Sequence, residues 1–332
     1  MAASGPGTSS GAEGGGGVAG RRGLLLGLAV SVVAVGAVVW WASRQPAPRF
    51  PTSFEDIAPA VLALALYAVA TCLRAERWGV LVRDQGGDPE RADLYALTAV
   101  GFAGNTVLPA RGGDAFRVVL GAPRMRIAHR PLIGTLLAER LLDVAVLATL
   151  FVVLGATIAG GRGMPKGSSL LVIAGVVLVL LVLAAVALQV LVRRGLWDKV
   201  KAFVGPMLGA TTNLRGRHGA MMLGLSALIW GLEGVIWTIV GAAVDLGFGP
   251  LDGFYVLALG SMFALIPSGP GYAGTVDAAT IIGVKAVGGA SSAAVSYLIL
   301  VRFIVFVPIT VVGLAVGALR YGGLRRLRTA AA

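Results

Sequence analysis

The chain has 332 residues, of which 57% are hydrophobic and 49 are glycine, while only 13% are charged. A soluble domain has roughly 45–50% apolar residues with glycine included, so this composition excludes a soluble protein. The 28 Lys and Arg residues outnumber the 16 Asp and Glu residues and leave a net charge of +12. In so apolar a chain we expect this charge to face anionic lipid rather than nucleic acid. The single Cys72 excludes an intrachain disulfide and lacks the partners of a metal cluster.

The N-terminal residues 1–20 are rich in Gly, Ser and Ala and predict a disordered tail. The apolar run that follows, residues 24–42, is preceded by two arginines, as a signal peptide would be. Its length and the aromatic pair Trp40 and Trp41 at its end favour an uncleaved first membrane span instead. Together with five later runs of similar length, the sequence predicts about six transmembrane helices: 24–42, 57–73, 132–159, 169–192, 220–244 and 293–319.

Two more apolar stretches, 94–120 and 254–287, are interrupted at their middle by Pro and Gly. Backbone groups released at membrane depth are tolerated only where protein or a watery cavity supplies hydrogen-bond partners. We therefore predict that each stretch is a re-entrant hairpin of two short helices that meet at a tip. The tips contain Pro109, Gly112 and Gly113 in the first stretch, and Pro267, Pro270, Gly271 and Gly274 in the second.

The distribution of Lys and Arg predicts the orientation of the chain in the membrane. With a cytoplasmic N-terminus and two re-entrant hairpins, the outer side holds only Arg44, Arg49, Arg162 and Lys166. Most other cations then lie at cytoplasmic ends, and this agrees with the positive-inside rule. We expect a multi-pass protein of the plasma (inner) membrane with both termini in the cytoplasm. The cations assigned to cytoplasmic ends include Arg74, Arg77, Arg111 and Arg117, the basic stretch 193–217 and the C-terminal cluster 320–328.

Landmarks in the sequence recur at a fixed distance. Pro109 and Pro267 are 158 residues apart, and the intramembrane Arg140 and Arg302 are 162 apart. Each half reads as span, span, broken hairpin and span, so an odd number of crossings inserts the second half upside down. The sequence thus predicts an all-α membrane protein of two inverted repeats, 21–160 and 161–328, whose hairpin tips converge near the midplane.

The first tip carries the side chains of a possible anion site. Pro109 ends a helix, and we expect Asp114 to be the N-cap of the next one. A helix start offers free N–H groups, and Arg111 and Arg117 flank it with guanidinium groups that suit a phosphate. Alternatively, both arginines extend to the cytoplasmic interface and Asp114 is only a cap.

Three ionisable residues share the span 132–159. Glu139 and Asp143 are four residues apart, and Arg140 is placed so that one cation neutralises both carboxylates. Such groups are costly at this depth and usually functional. The sequence leaves two readings open: a role in headgroup or proton handling, or an ion pair that fixes helix packing.

The second half contributes Arg302, whose partner must come from another helix. Asp277 and Glu233 are the candidates within the chain, and a bound anionic lipid is the candidate outside it. Tyr272, near the second tip, is either a packing aromatic or a ligand contact. Asp277 lies one turn into the helix that follows this tip.

Four segments together resemble the lysylphosphatidylglycerol synthase transmembrane (flippase-like) family, the membrane module of multiple peptide resistance factors: LPARGGDAFRVVLG, LLAERLLDVAVLATLFVVLG, IPSGPGYAGTVDAA and LVRFIVFVPITVVGLAVG. The resemblance implies movement of an anionic, aminoacylated or polyprenyl-phosphate-linked lipid between leaflets. The chain departs from the family at Asp114 and Asp277, where Glu is frequent, and at Val276, where some members have Arg. No aminoacyl-transferase domain follows Ala332, so we do not expect lipid synthesis.

The sequence favours a lipid translocator that needs no cofactor or metal, because no P-loop, nucleophile–base pair or metal motif is present. Two alternatives stay open. One is an integral-membrane enzyme with Glu139 or Asp143 as a buried base, and the other is a scaffold that recruits a partner enzyme of lipid or glycan synthesis. The predicted headgroup-binding residues are Arg111, Asp114, Arg117, Glu139, Arg140, Asp143, Tyr272, Asp277 and Arg302.

Overall fold

The computed structural model describes residues 54–108, 111–161, 213–264 and 270–322, with Trp40, Ser43, Arg44 and Gly205 as isolated positions. In these ranges the regular structure is entirely helical. A short 3₁₀ turn, Pro270–Tyr272, lies at the second tip. The eight α-helices are α1 (Phe54–Asp84), α2 (Arg91–Val107), α3 (Gly112–Arg124), α4 (His129–Gly161), α5 (Gly216–Ala242), α6 (Asp252–Phe263), α7 (Thr275–Ala286) and α8 (Ser291–Tyr321).

Both interrupted stretches form a pair of short antiparallel helices, as the Pro and Gly clusters predict. In the first pair, α2 and α3, the backbones touch because glycine faces glycine: a Cβ on Gly113 would overlap the carbonyl of Gly101. One turn further from the tip, a Cβ on Gly101 would meet the side chain of Arg117. In the second pair, α6 and α7, Gly260 faces Thr280 and Gly283 faces Val256. The antiparallel order follows because residue numbers rise along one helix as they fall along the other.

The two halves repeat both the order of helices and their packing. Helices α1 to α4 run long, short, short, long, and α5 to α8 repeat this order. Each substantial packing contact between two of these helices has a counterpart when α1–α4 are exchanged with α5–α8. Thus α2 packs on α8 as α6 packs on α4, and α3 packs on α4 as α7 packs on α8. This exchange symmetry is that of a pseudo-two-fold axis between the halves.

The axis passes between α1 and α5, which are equivalent helices in direct contact. Arg74 of α1 bonds to Glu233 of α5, and Arg77, further along α1, bonds to Ser226, which lies earlier in α5. The two helices are therefore antiparallel, and both are long enough to cross a membrane. Equivalent membrane helices that run in opposite directions define an inverted repeat. The predicted repeat boundaries stay a prediction, because residues 162–204 and 206–212 lie outside the described ranges.

Three described helices are long and apolar enough to cross a membrane: Ile57–Asp84, Gly216–Ala242 and Ser291–Tyr321. They cover the predicted spans 57–73, 220–244 and 293–319 closely. The predicted span 132–159 is the 33-residue helix α4, whose first half carries Glu139, Arg140 and Asp143. The tail 1–20, the spans 24–42 and 169–192, most of the basic stretch 193–217 and the last ten residues lie outside the described residues.

Candidate functional site

The centre of the described structure holds a partly open cavity of about 210 Å³. All eight helices contribute side chains to its wall, and so do both hairpin tips. The wall includes eight of the nine predicted site residues, and the ninth, Asp114, bonds to one of them. The charged residues that line the cavity are Arg74, Arg77, Arg111, Arg117, Arg140, Arg302, Glu139, Asp143, Glu233 and Asp277.

One ion pair occurs twice, at equivalent places in the two halves. Arg140 of α4 lies 3.1 Å from Asp114, in the first turn of α3. Arg302 of α8 lies 2.5 Å from Asp277, in the first turn of α7. Each pair joins the last helix of its half to the second helix of the adjacent hairpin. The predicted correspondence of Arg140 and Arg302 thus extends to their carboxylate partners.

These partners correct two predictions. Arg140 does not neutralise Glu139 and Asp143, because its guanidinium turns to Asp114 on another helix. Asp114 is not an N-cap: α3 begins at Gly112 with Arg111 as its N-cap residue, and the Asp114 carboxylate accepts hydrogen bonds from Asn105 and Arg140. Sequence spacing shows which groups are neighbours along one helix. Here the ion pair forms instead between side chains of two different helices.

Glu139 and Asp143 belong to a buried network whose two cations, Arg77 and Arg117, also come from the first half. The Arg77 guanidinium donates to Asp143 at 2.7 Å and lies 3.7 Å from the second carboxylate, Glu139. Arg117 donates to the other oxygen of Glu139 at 2.9 Å and stacks over the ring of Trp78. Arg117 is 3% exposed, so the alternative in which this arginine extends to the membrane interface is wrong.

A second cation of α1, Arg74, takes the carboxylate that was a candidate partner of Arg302. It donates to Glu233 at 2.6 Å and lies over the ring of Trp230, 5.2 Å from its centre. Trp230 in turn donates its indole N–H to Asp143 at 3.0 Å. The pair Arg74–Glu233 therefore links α1 and α5 at the edge of the same network.

The two hairpin tips meet at Arg111 and Tyr272, as the predicted convergence requires. The Arg111 guanidinium donates to the carbonyl oxygen of Ala264 at 2.9 Å and lies 5.4 Å from the centre of the Tyr272 ring. Both residues have positive φ, 58° and 55°, a strained conformation that is concentrated at functional sites. Gly271 and Gly274 also have positive φ, which explains why glycine stands there. Of the other predicted tip residues, Gly112, Gly113 and Pro270 are described, whereas Pro109 and Pro267 are not.

The lining that α8 contributes is mostly apolar. Helix α8 presents Val301, Val305, Phe306 and Ile309 beside Arg302. The ring of Phe306 lies 5.2 Å from the Arg302 guanidinium and so shields it with an apolar face. The cavity lining thus combines paired charges with apolar side chains, and α8 contributes one cation among apolar neighbours.

Sequence reasoning missed Arg74 and Arg77 as site residues and placed them at the cytoplasmic end of a span. They are three residues apart, so they share one helix face, and the apolar run continues past them to Val82. That continuation is the signal that the span includes them. The aromatic residues Tyr67, Trp230 and Trp237 were missed too, because an aromatic in an apolar helix carries no signal of its own. Within the described residues no group of three His, Cys, Asp or Glu side chains is placed to hold a metal ion.

The fold and the site together define the class of protein. It is an all-α membrane protein with two inverted repeats around a cavity lined by guanidinium groups. The sequence model of the family described as "Lysylphosphatidylglycerol synthase TM region" matches residues 24–313. The chain therefore belongs to this family, as its motifs predict.

One curated relative is similar over a large part of the chain. The protein named "Glycosyltransferase AglD" of Haloferax volcanii is 26% identical over 306 residues, which is 78% of this chain and 48% of the relative. The chain thus spans about half the length of that relative. The family and the relative support a membrane function related to lipids or glycans.

Proposed function

We propose that this protein moves a lipid with an anionic headgroup from one leaflet of the plasma membrane to the other. The observation that carries the proposal is the cavity, in which six guanidinium groups face four carboxylates in the middle of a membrane helix bundle. Intramembrane cations are costly and mark substrate pathways. The candidate cargoes are an anionic phospholipid, an aminoacyl-phospholipid and a polyprenyl-phosphate-linked lipid.

The two kinds of side chain that line the cavity suit the two parts of a lipid. The paired charges of the first half offer a polar path for a headgroup, which would otherwise have to cross hydrocarbon. The valines, Phe306 and Ile309 of α8 offer an apolar surface to the chains. This division supports a lipid rather than a free phosphate as the cargo.

The repeated ion pairs supply a mechanism for alternating access. Because Arg140–Asp114 and Arg302–Asp277 occupy equivalent places in inverted halves, exchanging the conformations of the halves opens one side and closes the other. A headgroup phosphate competes with Asp114 or Asp277 for the guanidinium, so its arrival weakens one pair and favours the exchange. We propose Arg111, Arg117, Arg140 and Arg302 as the cations that the headgroup meets on its way.

The orientation of the termini belongs to the same proposal. Arg74, Arg77, Arg111 and Arg117 line the cavity and no longer count as interface cations, yet the remaining Lys and Arg residues still favour cytoplasmic termini. Reporter fusions at either end test this, because a periplasm-specific reporter active at the C-terminus contradicts it. A partner enzyme of lipid or glycan synthesis is a further element of the proposal.

Reconstitution into liposomes tests the function directly. The probe is phosphatidylglycerol with a fluorophore on one acyl chain, and a membrane-impermeant quencher reports the fraction that reaches the inner leaflet. We expect wild-type protein to accelerate the movement, and Arg302→Gln to slow it about tenfold by removing one of the two repeated pairs. Movement no faster than in protein-free liposomes would contradict the proposal.

An enzyme is the second candidate, because the relative carries the name of a glycosyltransferase. The geometry speaks against Glu139 as its base, since both of its oxygens face guanidinium groups of Arg77 and Arg117. Substitution Glu139→Gln separates the two functions: if the variant still moves lipid but its membranes lose a modified lipid, the enzyme is favoured.

A further inference from the structure

The charged side chains of the cavity pair off one to one and leave a single guanidinium over. Within the described residues, Arg111 has no carboxylate at ion-pair distance, although five other arginines do. The five pairs are Arg74–Glu233, Arg77–Asp143, Arg117–Glu139, Arg140–Asp114 and Arg302–Asp277, at distances of 2.6, 2.7, 2.9, 3.1 and 2.5 Å.

Both described contacts of Arg111 are with neutral groups. One is the carbonyl oxygen of Ala264 and the other is the ring of Tyr272, so one hydrogen bond and one ring contact orient the guanidinium without pairing it with a negative charge. A guanidinium has five N–H donors, and this one uses a single described hydrogen bond. The position is at the junction of the two tips, on the wall of the cavity.

We infer that Arg111 is the ligand of the headgroup phosphate and that the cavity selects lipids whose headgroup carries one negative charge, as a phosphodiester does. The inference rests on the proposed function and adds its charge class. One anion cancels the one unpaired cation. The second charge of a phosphomonoester, present above its second pKa of about 6, would meet only guanidinium groups that already hold a carboxylate.

Five buried polar atoms on residues of the cavity wall have no hydrogen-bond partner in the described structure, and three of them are N–H donors that suit the same ligand; the other two are Thr98 Oγ1 and Asn105 Oδ1. Arg77 Nε, Arg117 Nε and the indole N–H of Trp237 have no hydrogen-bond acceptor in the described structure, and each residue is no more than 5% exposed. All three are donors on residues of the cavity wall. Phosphodiester oxygens are acceptors, and buried donors without partners are costly.

Three variants set the charge of the cavity in steps. Arg111→Gln removes the unpaired cation, Asp114→Asn frees the Arg140 guanidinium and adds one, and the double variant restores the wild-type balance with the free cation on Arg140. The two probe lipids have identical labelled chains: phosphatidylglycerol, a phosphodiester, and phosphatidic acid, a phosphomonoester. The assay is transbilayer movement in proteoliposomes at pH 8, where the two headgroups differ by close to one charge.

We expect wild type to move phosphatidylglycerol about tenfold faster than phosphatidic acid. Arg111→Gln slows the movement of phosphatidylglycerol about tenfold. Asp114→Asn narrows the preference for phosphatidylglycerol over phosphatidic acid to about twofold. The double variant moves phosphatidylglycerol at no less than half of the wild-type rate. Arg111→Lys keeps the charge, and we expect it to retain most of the wild-type rate of phosphatidylglycerol movement. That result would show that the slower movement in Arg111→Gln is not a folding defect.

The matched control is Arg126→Gln. Arg126 has a φ of 51°, close to the 58° of Arg111, so the substitution meets the same backbone strain. Its side chain is 81% exposed and pairs with Asp88 at 3.5 Å, away from the cavity. We expect Arg126→Gln to move both lipids at the wild-type rates.

The outcomes separate this inference from the proposed function. Movement of both lipids at equal rates, or a double variant as slow as Arg111→Gln, overturns the charge class while the function stands. No movement of either lipid above protein-free liposomes overturns both. Inhibition of phosphatidylglycerol movement by soluble glycerophosphoglycerol, tested in parallel, would support the phosphodiester itself as the group that the site binds.

Discussion

The two halves of this protein have the same skeleton and different cavity walls. Both place an arginine of the last helix against an aspartate of the adjacent hairpin. At the positions equivalent to Glu139 and Asp143, however, the second half has Val301 and Val305, all four of which line the cavity. By the 158-residue spacing of Pro109 and Pro267, the position equivalent to Arg77 is Val235. Arg111 is the N-cap residue of α3, and Gly274 is the N-cap residue of α7.

This difference separates what alternating access requires from what the cargo requires. Features present in both halves, the hairpins and the repeated ion pair, serve the exchange of conformations. Features present in one half, the network of Arg77 with its two carboxylates and the unpaired Arg111, make the cavity polar on one side and suit a headgroup. If this division is right, equivalent substitutions in the two halves have unequal effects.

The largest effect is expected from Arg77→Met, compared with Val235→Ala at the equivalent position. Losing Arg77 leaves the buried Asp143 without its cation, while Glu139 keeps Arg117, and lowers the free energy of unfolding by about 3 kcal/mol. Val235 is 39% exposed, so its truncation changes stability by about 0.5 kcal/mol. Thermal unfolding of the detergent-purified variants measures both. Similar losses in the two variants would break the comparison between the halves.

The next largest effect is a difference between the two hairpin tips in the stability lost when a glycine is replaced by alanine. Gly113→Ala forces a Cβ into the carbonyl of Gly101 and costs about 2–3 kcal/mol, since both groups are backbone and neither yields. At the second tip, Gly271→Ala meets its nearest atom at 3.5 Å and costs only the strain of φ 61°, about 1 kcal/mol. Gly224→Ala, which meets nothing within 4 Å, is the control and is expected to be neutral or stabilising. A larger loss for Gly271→Ala than for Gly113→Ala in the same unfolding assay contradicts the packing described.

The repeated ion pairs should also differ. Asp277→Asn costs about 2 kcal/mol, because this carboxylate is 9% exposed and accepts a second hydrogen bond from the Gly274 N–H. Asp114→Asn costs about 1 kcal/mol, because Asp114 is 22% exposed and its amide replacement still accepts from Asn105. Denaturant or thermal titration of the two single variants checks the order, and the reverse order contradicts it.

The smallest effect concerns Phe306, whose first-half equivalent is Val144. Phe306→Leu removes the ring beside Arg302 and weakens lipid transport by about threefold, the equivalent of roughly 0.6 kcal/mol. Phe303→Leu makes the same change on the same helix at a 55% exposed position and should leave transport unchanged. Equal rates for the two variants would remove Phe306 from the site.

The sequence predicted the hairpins and the equivalence of Arg140 with Arg302, because both depend on local signals: Pro and Gly clusters and a regular spacing. It also included Asp277 among the candidate partners of Arg302, because Arg302 has no carboxylate near it in sequence. The partner of Arg140 was wrong, since Glu139 and Asp143 are neighbours along the helix while Asp114 is a neighbour only in the fold. The prediction placed Arg74 and Arg77 at the membrane interface. Their carboxylate partners are contributed by α4 and α5, and no local sequence pattern predicts a contact between separate helices.

The central claim is that an anionic lipid passes through this cavity, and photochemical crosslinking tests it most directly. The probe is phosphatidylglycerol with a photoreactive group beside the phosphate, and mass spectrometry locates its adducts after digestion. We predict adducts at cavity residues such as Thr106 and Ser261, abolished by excess unlabelled phosphatidylglycerol and reduced in Arg111→Gln. Adducts confined to exposed outer-surface residues such as Val311 and Val312, with none in the cavity, would contradict the account.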